Sequence, residues 1–213
     1  MTVDLTNSDK LLTTTRAVRR RMDFDRPVDR VVIEDAVQVA LQAPNIIPAQ
    51  FIVVTDRERR KQMGDLYCEA HLPYLDATEK ELTAQMNAED AAQFKKHWDL
   101  ARWASENMYK VPVHVHVAAK GVDDYVGLAQ ASFYGCVLPP AWSFMLALRA
   151  RGIGSSWTTV HLRDAYKDRI QALFELPVGY SLGVFLPCGY YTGEDFKPAT
   201  RPSVADSIHW DTW

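Results

Sequence analysis

The chain has 213 residues, with 24 Lys and Arg against 27 Asp and Glu, giving a formal net charge of −3. Its 47% hydrophobic and 24% charged fractions exclude a largely disordered chain, and the near-neutral balance argues against a dedicated nucleic-acid binder. The length suits one domain over residues 1–213, able to bury a core without disulfide or metal staples.

No apolar run approaches the roughly 20 residues that a membrane helix needs. The opening MTVDLTNSDKLLTTTRAVRRR lacks the apolar h-region of a secretory signal, so a cytoplasmic protein is expected. The three cysteines, Cys68, Cys136 and Cys188, are widely spaced with no CxxC, which reads as ordinary buried or half-buried thiols.

Positive charge is uneven. Arg16, Arg19, Arg20, Arg21, Arg26 and Arg30 fall within fifteen residues. Such a cluster is either a solvated face or a phosphate grip, because the planar guanidinium fork matches phosphate oxygens. Pro27-Val28-Asp29 then opens a helix whose Ile33, Ala36, Val37, Ala40 and Leu41 recur at helical spacing as one buried stripe. Ala43-Pro44 ends it, since a residue before proline avoids the α region. A short loop, 45–50, leads to Phe51-Ile52-Val53-Val54, read as a buried strand.

Residues 57–71 read as helical, and 73–110 as a polar, helical excursion or lid carrying Trp98 and Trp103. In 111–117 the valines alternate with Pro112, His114 and His116, so valines and histidines face opposite ways. The apolar stretch from Gln130 to Arg151, interrupted by Pro139-Pro140, reads as a central helix covered on nearly every side. Gly152-Ile153-Gly154 stops it, Ser155 to Val160 reads as a strand, Arg163 to Phe174 as a helix and Ser181 to Gly189 as a last strand. The tail from Tyr190 is rich in Pro, Gly and aromatics without periodicity, which suits packing onto another surface, such as a second subunit. An α+β domain follows.

His114-x-His116 has a spacing used by some metal sites, with His161 or Asp123 as further ligands, but no helical ligand motif accompanies it, and packed histidines are the expectation. No GxSxG elbow supports Ser155 or Ser156 as a nucleophile, and no P-loop or GxGxxG is present. What remains is dispersed: an Arg cluster, a polar loop, glycine turns after the central helix, and Arg201 in the tail. A large, flat, phosphate-bearing cofactor would need such a set.

The order of these elements resembles the FMN-dependent nitroreductase family, in particular an actinobacterial-type NAD(P)H:acceptor branch, from Thr14 to Trp213. Residues 15–22 (TRAVRRRM) resemble its opening R-R-S-x-R-x-F, with Arg16 and Arg20 on the basic positions. Pro27-Val28-Asp29 matches the proline before the first helix, Ala43-Pro44 the "AP" of the flavin-contacting loop, and 51–56 (FIVVTD) the strand after it. Residues 142–158 (WSFMLALRARGIGSSWT) resemble the central helix and glycine turn. Residues 196–202 (FKPATRP) and His209-Trp210-Asp211 resemble the phosphate-contacting C-terminal segment.

The resemblance implies a three-layer α+β fold, a central mixed or antiparallel sheet flanked by helices, and a C-terminal tail wrapping a homodimer partner. It implies FMN as cofactor, NADPH or NADH as reductant, and hydride passing through flavin N5 to a nitroaromatic, quinone or similar acceptor by a ping-pong mechanism. The flavin carries the chemistry, so no catalytic side chain is required. Arg16 and Arg201 would clamp the phosphate, with Arg20 toward the ribityl chain or pyrimidine edge and Ala17 and Val18 beside them. Ser156, Trp157 and Thr158 would border the ring, and Pro44, Asn45 and Ile46 would come from the other subunit. A flavin- or ligand-binding non-reductase, or a flavin-cleaving or dehalogenating relative, is the alternative. Tyr67, His71, Tyr74, Trp98 and Trp103 are candidate pocket residues without an assigned place.

Two departures stand out. The loop after "AP" is about three residues short of the family's S-x-x-N-x-Q-P-W, and Val18 replaces the motif serine. Each lost neutral hydrogen bond costs about 0.5–1.5 kcal/mol, less than the charge-assisted phosphate contacts retained.

Overall fold

The computed structural model describes residues 4–44, 47–121 and 126–213. These form helices α1 (Leu5–Thr14), α2 (Arg30–Ala40), α3 (Arg57–Thr83), α4 (Ala88–Glu106), α5 (Leu128–Ala150) and α6 (Asp164–Leu173). The strands are β1 (Gln50–Val54), β2 (Val113–Lys120), β3 (Ile153–Ser155) and β4 (Tyr180–Tyr190). They make one antiparallel sheet in the order β1-β2-β4-β3.

Period-two alternation along β2 decides the layering. Val113, Val115 and Val117 join the cluster built with Ile33 and Ala36 of α2 and Phe144 and Leu148 of α5. His114 and His116 face the other way, toward Phe185 of β4. That second face is covered by Met63 and Tyr67 of α3, Ile170 of α6, and Val18 and Met22 ahead of α2. The architecture is thus helices, sheet, helices, an α+β fold in three layers, and the four strands pair only in the antiparallel sense.

Several local expectations change. β1 is an edge strand, with no strand beyond it among the described residues, and Gln50 and Val53 are exposed, so it is not fully buried. α5 runs straight through Pro139 and Pro140, and its Trp142 is 40% exposed, so the helix keeps one open side. By length and mean hydropathy (1.3) α5 is also long and apolar enough to cross a membrane, contrary to the sequence expectation; half of that stretch is buried as the core helix of this fold. Gly152, at φ 76°, turns the chain into β3. Regular pairing then ends at Ser155 instead of continuing to Val160. It resumes only at a Thr158–Phe185 bridge before a 3-10 turn at Val160–Leu162. α1 carries no strong apolar stripe and was not anticipated; Asp4 caps it by accepting from Asn7 N–H.

α3 continues through Pro73, whose missing N–H leaves the Glu69 carbonyl without its helical donor. Tyr166 of α6 supplies one, its hydroxyl donating to Glu69 O at 2.9 Å. At the other end of α3, Arg60 donates to Thr55 O and Val111 O at 3.1 and 2.8 Å, tying the helix start to β1 and β2. The cysteines are unpaired, Cys136 and Cys188 buried and Cys68 half-buried, as expected. Burial pushes the Cys68 thiol up to about 11.

His114, His116 and His161 are fully buried together around Phe185. His114 Nε2 bonds Met108 O at 3.0 Å, whereas both ring nitrogens of His116 and of His161 lack partners among the described residues. Among those residues no group of three His, Cys, Asp or Glu side chains is placed to hold a metal; Asp123 lies outside them. Burial holds His114 and His161 down at about 3, and His116 well below its usual range.

Two predictions follow from this packing. A histidine in the unfolded chain takes a proton near 6.5, while these three remain neutral in the fold, so the unfolded state binds more protons as pH falls. Stability is therefore full above about pH 6.5 and drops steadily below it, toward about pH 3. Urea midpoints between about pH 7 and about pH 5 should show this fall, and His116→Phe should flatten it. Separately, a Cβ at Gly154 would come within 2.5 Å of Val18 Cγ2. Gly154→Ala should destabilise by about 1–3 kcal/mol in chemical denaturation.

Candidate active site

Residues 16–22 run along the β3 end of the sheet. Ala17 and Ser155 form a parallel bridge, and Val18 N–H donates to Ser155 O at 2.9 Å. Val18 is 2% exposed and rests on Gly154, whose lack of a side chain permits the approach. Its amide and its side chain are thus both occupied by the fold. Farther along, Asp23 N–H donates to Tyr190 O at 2.8 Å, which pins the segment a second time.

The successive arginines between these pins point to different tasks. Arg21 donates from Nε to Thr192 O at 2.7 Å and from Nη2 to Glu194 O, and it covers Phe196 with its carbon 4.2 Å from the ring centre. Arg149 of α5 meets the same stretch through Asp195 and the Tyr191 hydroxyl. These two cations fix the root of the C-terminal tail. Arg20 lies 5.7 Å from the ring centre of Trp103 on α4, which also stacks on Phe24. Arg16 is half-buried, and its guanidinium makes no hydrogen bond or ion pair among the described residues.

Arg19 lines a cavity of about 270 Å³ between the sheet and the α3–α4 pair. Ser156, Trp157 and Thr158 form another part of its wall, and Tyr67 and His71 of α3 a third. Ala101 and Ala104 of α4, with Met108, close it. A smaller apolar cavity of about 20 Å³ shares Arg19, Ala104, Met108 and Ser156, and reaches Val18 and Trp103. The 73–110 excursion thus supplies part of the cavity wall through α4.

Hydrogen bonding orders the wall. Tyr67 Oη and Thr158 Oγ1 lie 2.8 Å apart, and Val160 N–H donates to that Thr158 oxygen at 3.3 Å. Burial pushes the Tyr67 hydroxyl up to about 12, while Thr158 and the nearby Arg19 charge pull the other way. His71 Nδ1 meets Ser105 Oγ at 2.8 Å, and burial, aided by Arg163 and Arg102, lowers its ring to about 4. The site therefore presents uncharged hydrogen-bonding groups together with the Arg19 cation.

The fold brings Arg16, Ala17, Val18 and Arg20 to the same end of the sheet as Ser156, Trp157 and Thr158. Pro44 is exposed after α2, in the layer on the opposite face, and Asn45 and Ile46 lie outside the described residues. Arg201 is exposed in the tail, without a hydrogen bond or ion pair among those residues. Arg19 was missed by motif reading, because it falls between the two basic motif positions. The i, i+4 spacing of Tyr67 and His71 on one helix face was the legible signal for the α3 wall.

Solved structures with the same fold include the FMN and NADPH-dependent nitroreductase NfnB from Sphigopyxis sp. strain HMH. It is 19% identical, with a TM-score of 0.66 over 97% of this chain and 99% of that one. A BluB-like flavoprotein from Clostridium difficile 630 is 18% identical, at 0.65 over 98% and 99%. An iodotyrosine deiodinase bound to FMN and 3-iodo-L-tyrosine is 18% identical, at 0.64 over 96% and 99%. No curated protein sequence matches the chain. The sequence profile of the nitroreductase family matches residues 12–190, most of the chain's length, and the chain belongs to that family.

Proposed function

We propose that the protein is an FMN-dependent oxidoreductase that moves reducing equivalents from NADPH or NADH to a small organic acceptor, such as a nitroaromatic or quinone. The observation that carries this reading is the guanidinium row at 16–20, docked by backbone bonds beside the 155–158 segment and a cavity. Arg16 has no partner there, and Arg19 faces the cavity. An uncommitted, half-buried arginine fits a phosphate monoester, whose oxygens accept its planar fork.

In this reading Arg16 holds the phosphate, with Arg201 joining from the tail. Arg20, steadied on Trp103, offsets negative charge at the pyrimidine edge of the ring through Coulomb attraction. Ala17 follows the ribityl chain, and Val18 serves as apolar packing below it. Ser156, Trp157 and Thr158 border the ring. Bound FMN would supply hydride acceptance at N5 and delivery to the acceptor, in alternating half-reactions at one face. The α3–α4 wall excludes water from that face and acts as the lid.

A homodimer completes the site, with Pro44, Asn45 and Ile46 contributed by a second copy. Support comes from apolar groups left open on one chain: Trp142 is 40% exposed, Trp210 82% and Trp213 100%.

The test is direct. Purified protein supplied with FMN should bind it and be bleached anaerobically by NADPH or NADH, at a sedimentation mass of two chains. Arg16→Ala should weaken FMN affinity roughly tenfold to 100-fold, as expected for a charge-assisted contact. Unchanged affinity in that variant removes Arg16 from the phosphate site, and a wild type left colourless once unbound FMN is removed by desalting overturns the reading as a whole.

A further inference from the structure

The contacts of His71 favour one tautomer. Ser105 carries a single hydroxyl proton, and it donates to Ala101 O at 2.9 Å within α4. With that proton directed to Ala101 O, the Ser105 oxygen accepts from His71, which places the ring proton on Nδ1 across their 2.8 Å contact. Nε2 is left with its lone pair and no hydrogen-bond partner among the described residues, and the ring lines the cavity. Neighbours hold the orientation: Tyr67 meets the ring edge-on at 5.4 Å between centres, and Tyr74 stacks at 6.3 Å. Arg163 lies over Tyr74 at 4.7 Å, adding positive charge beside the ring. Burial, reinforced by this charge and by Arg102, keeps the imidazole neutral at neutral pH.

We propose that His71 is the specificity-determining residue of this cavity, offering its Nε2 lone pair to acceptor substrates that carry a hydroxyl or amino donor. The cavity's chemistry is otherwise suited to the remainder of such a molecule. Arg19 offers a cation to an oxygen-rich group, nitro or carbonyl, and Met108 with Ala101 and Ala104 offers apolar contact to a ring. The substrate class is therefore a small electron-poor aromatic bearing a donor, and not its alkylated counterpart. A site built around a hydrogen-bond acceptor discriminates against a ligand that leaves the acceptor unpaired. This inference rests on the oxidoreductase reading for its substrate class but not for its geometry.

The experiment compares 4-nitrobenzyl alcohol with its methyl ether, in calorimetric binding to the FMN-supplemented protein and in NADPH- or NADH-driven reduction. The wild type should favour the alcohol by about two- to tenfold in Kd and in kcat/KM. His71→Phe should bring that ratio to about one, and His71→Gln, which restores an acceptor of similar reach, should recover part of it. Circular dichroism and thermal midpoints of both variants report whether the fold is kept. Equal wild-type affinities for the two compounds, no binding of either, or a ratio unmoved by His71→Phe overturns the assignment. A binding preference that survives while neither compound is reduced upholds His71 and overturns the oxidoreductase reading instead.

Discussion

The contact between Val18 and the Gly154-Ser155 strand end governs the placement of the arginines at 16–21. One hydrogen bond of 2.9 Å, from the Val18 N–H to Ser155 O, sets the register, and the bare α-carbon of Gly154 sets the distance. Arg16 and Arg20 flank that contact in sequence, Arg19 follows it directly, and Arg21 turns from it toward the tail. Because the backbone makes the contact, the arginine side chains are left for other work. This is why a valine is acceptable where the family's motif carries a serine: the position contributes packing and an amide already engaged by the sheet.

Much of the framework was legible. The alternation in 113–117 correctly assigned valines and histidines to opposite faces, because a period of two leaves no other arrangement. The stripe of Ile33, Ala36 and Ala40 marked the buried side of α2 for the analogous helical reason. Prolines misled in proportion to how far their effects are cancelled at a distance. Pro73 breaks nothing because a tyrosine 93 residues away in the 213-residue sequence restores the missing donor, and no local pattern encodes that. The shortness of β3 was equally hidden: its boundary depends on where β4 stops offering regular partners, not on its own residues.

The site divides along the same line. Segments joined by sequence order, 16–20 and 156–158, were visible through motif resemblance. The α3–α4 wall was legible only in part, through Tyr67 and His71 of α3, since Ala101, Ala104 and Met108 matter through their size and position alone. The tautomer of His71 is a further step removed, because it depends on where a serine on another helix sends its own proton. Buried polar groups elsewhere follow a different logic. His116 and His161 sit among aromatic rings with all four nitrogens unpaired among the described residues, a cost that neutral imidazole makes tolerable and a charged one would not.

The anchoring of the tail has a bearing on how this sequence can drift. Arg21 holds the carbonyl oxygens of Thr192 and Glu194, groups that every amino acid possesses. Positions 192 and 194 can therefore exchange their side chains widely while the exit direction of the tail persists. Position 21 has no such latitude, since a lysine there would offer a single ammonium in place of a fork that reaches two oxygens. Selection on the path of the last twenty or so residues thus falls on two arginines remote from them in the chain, and of these only Arg149 also depends on tail side chains, those of Tyr191 and Asp195.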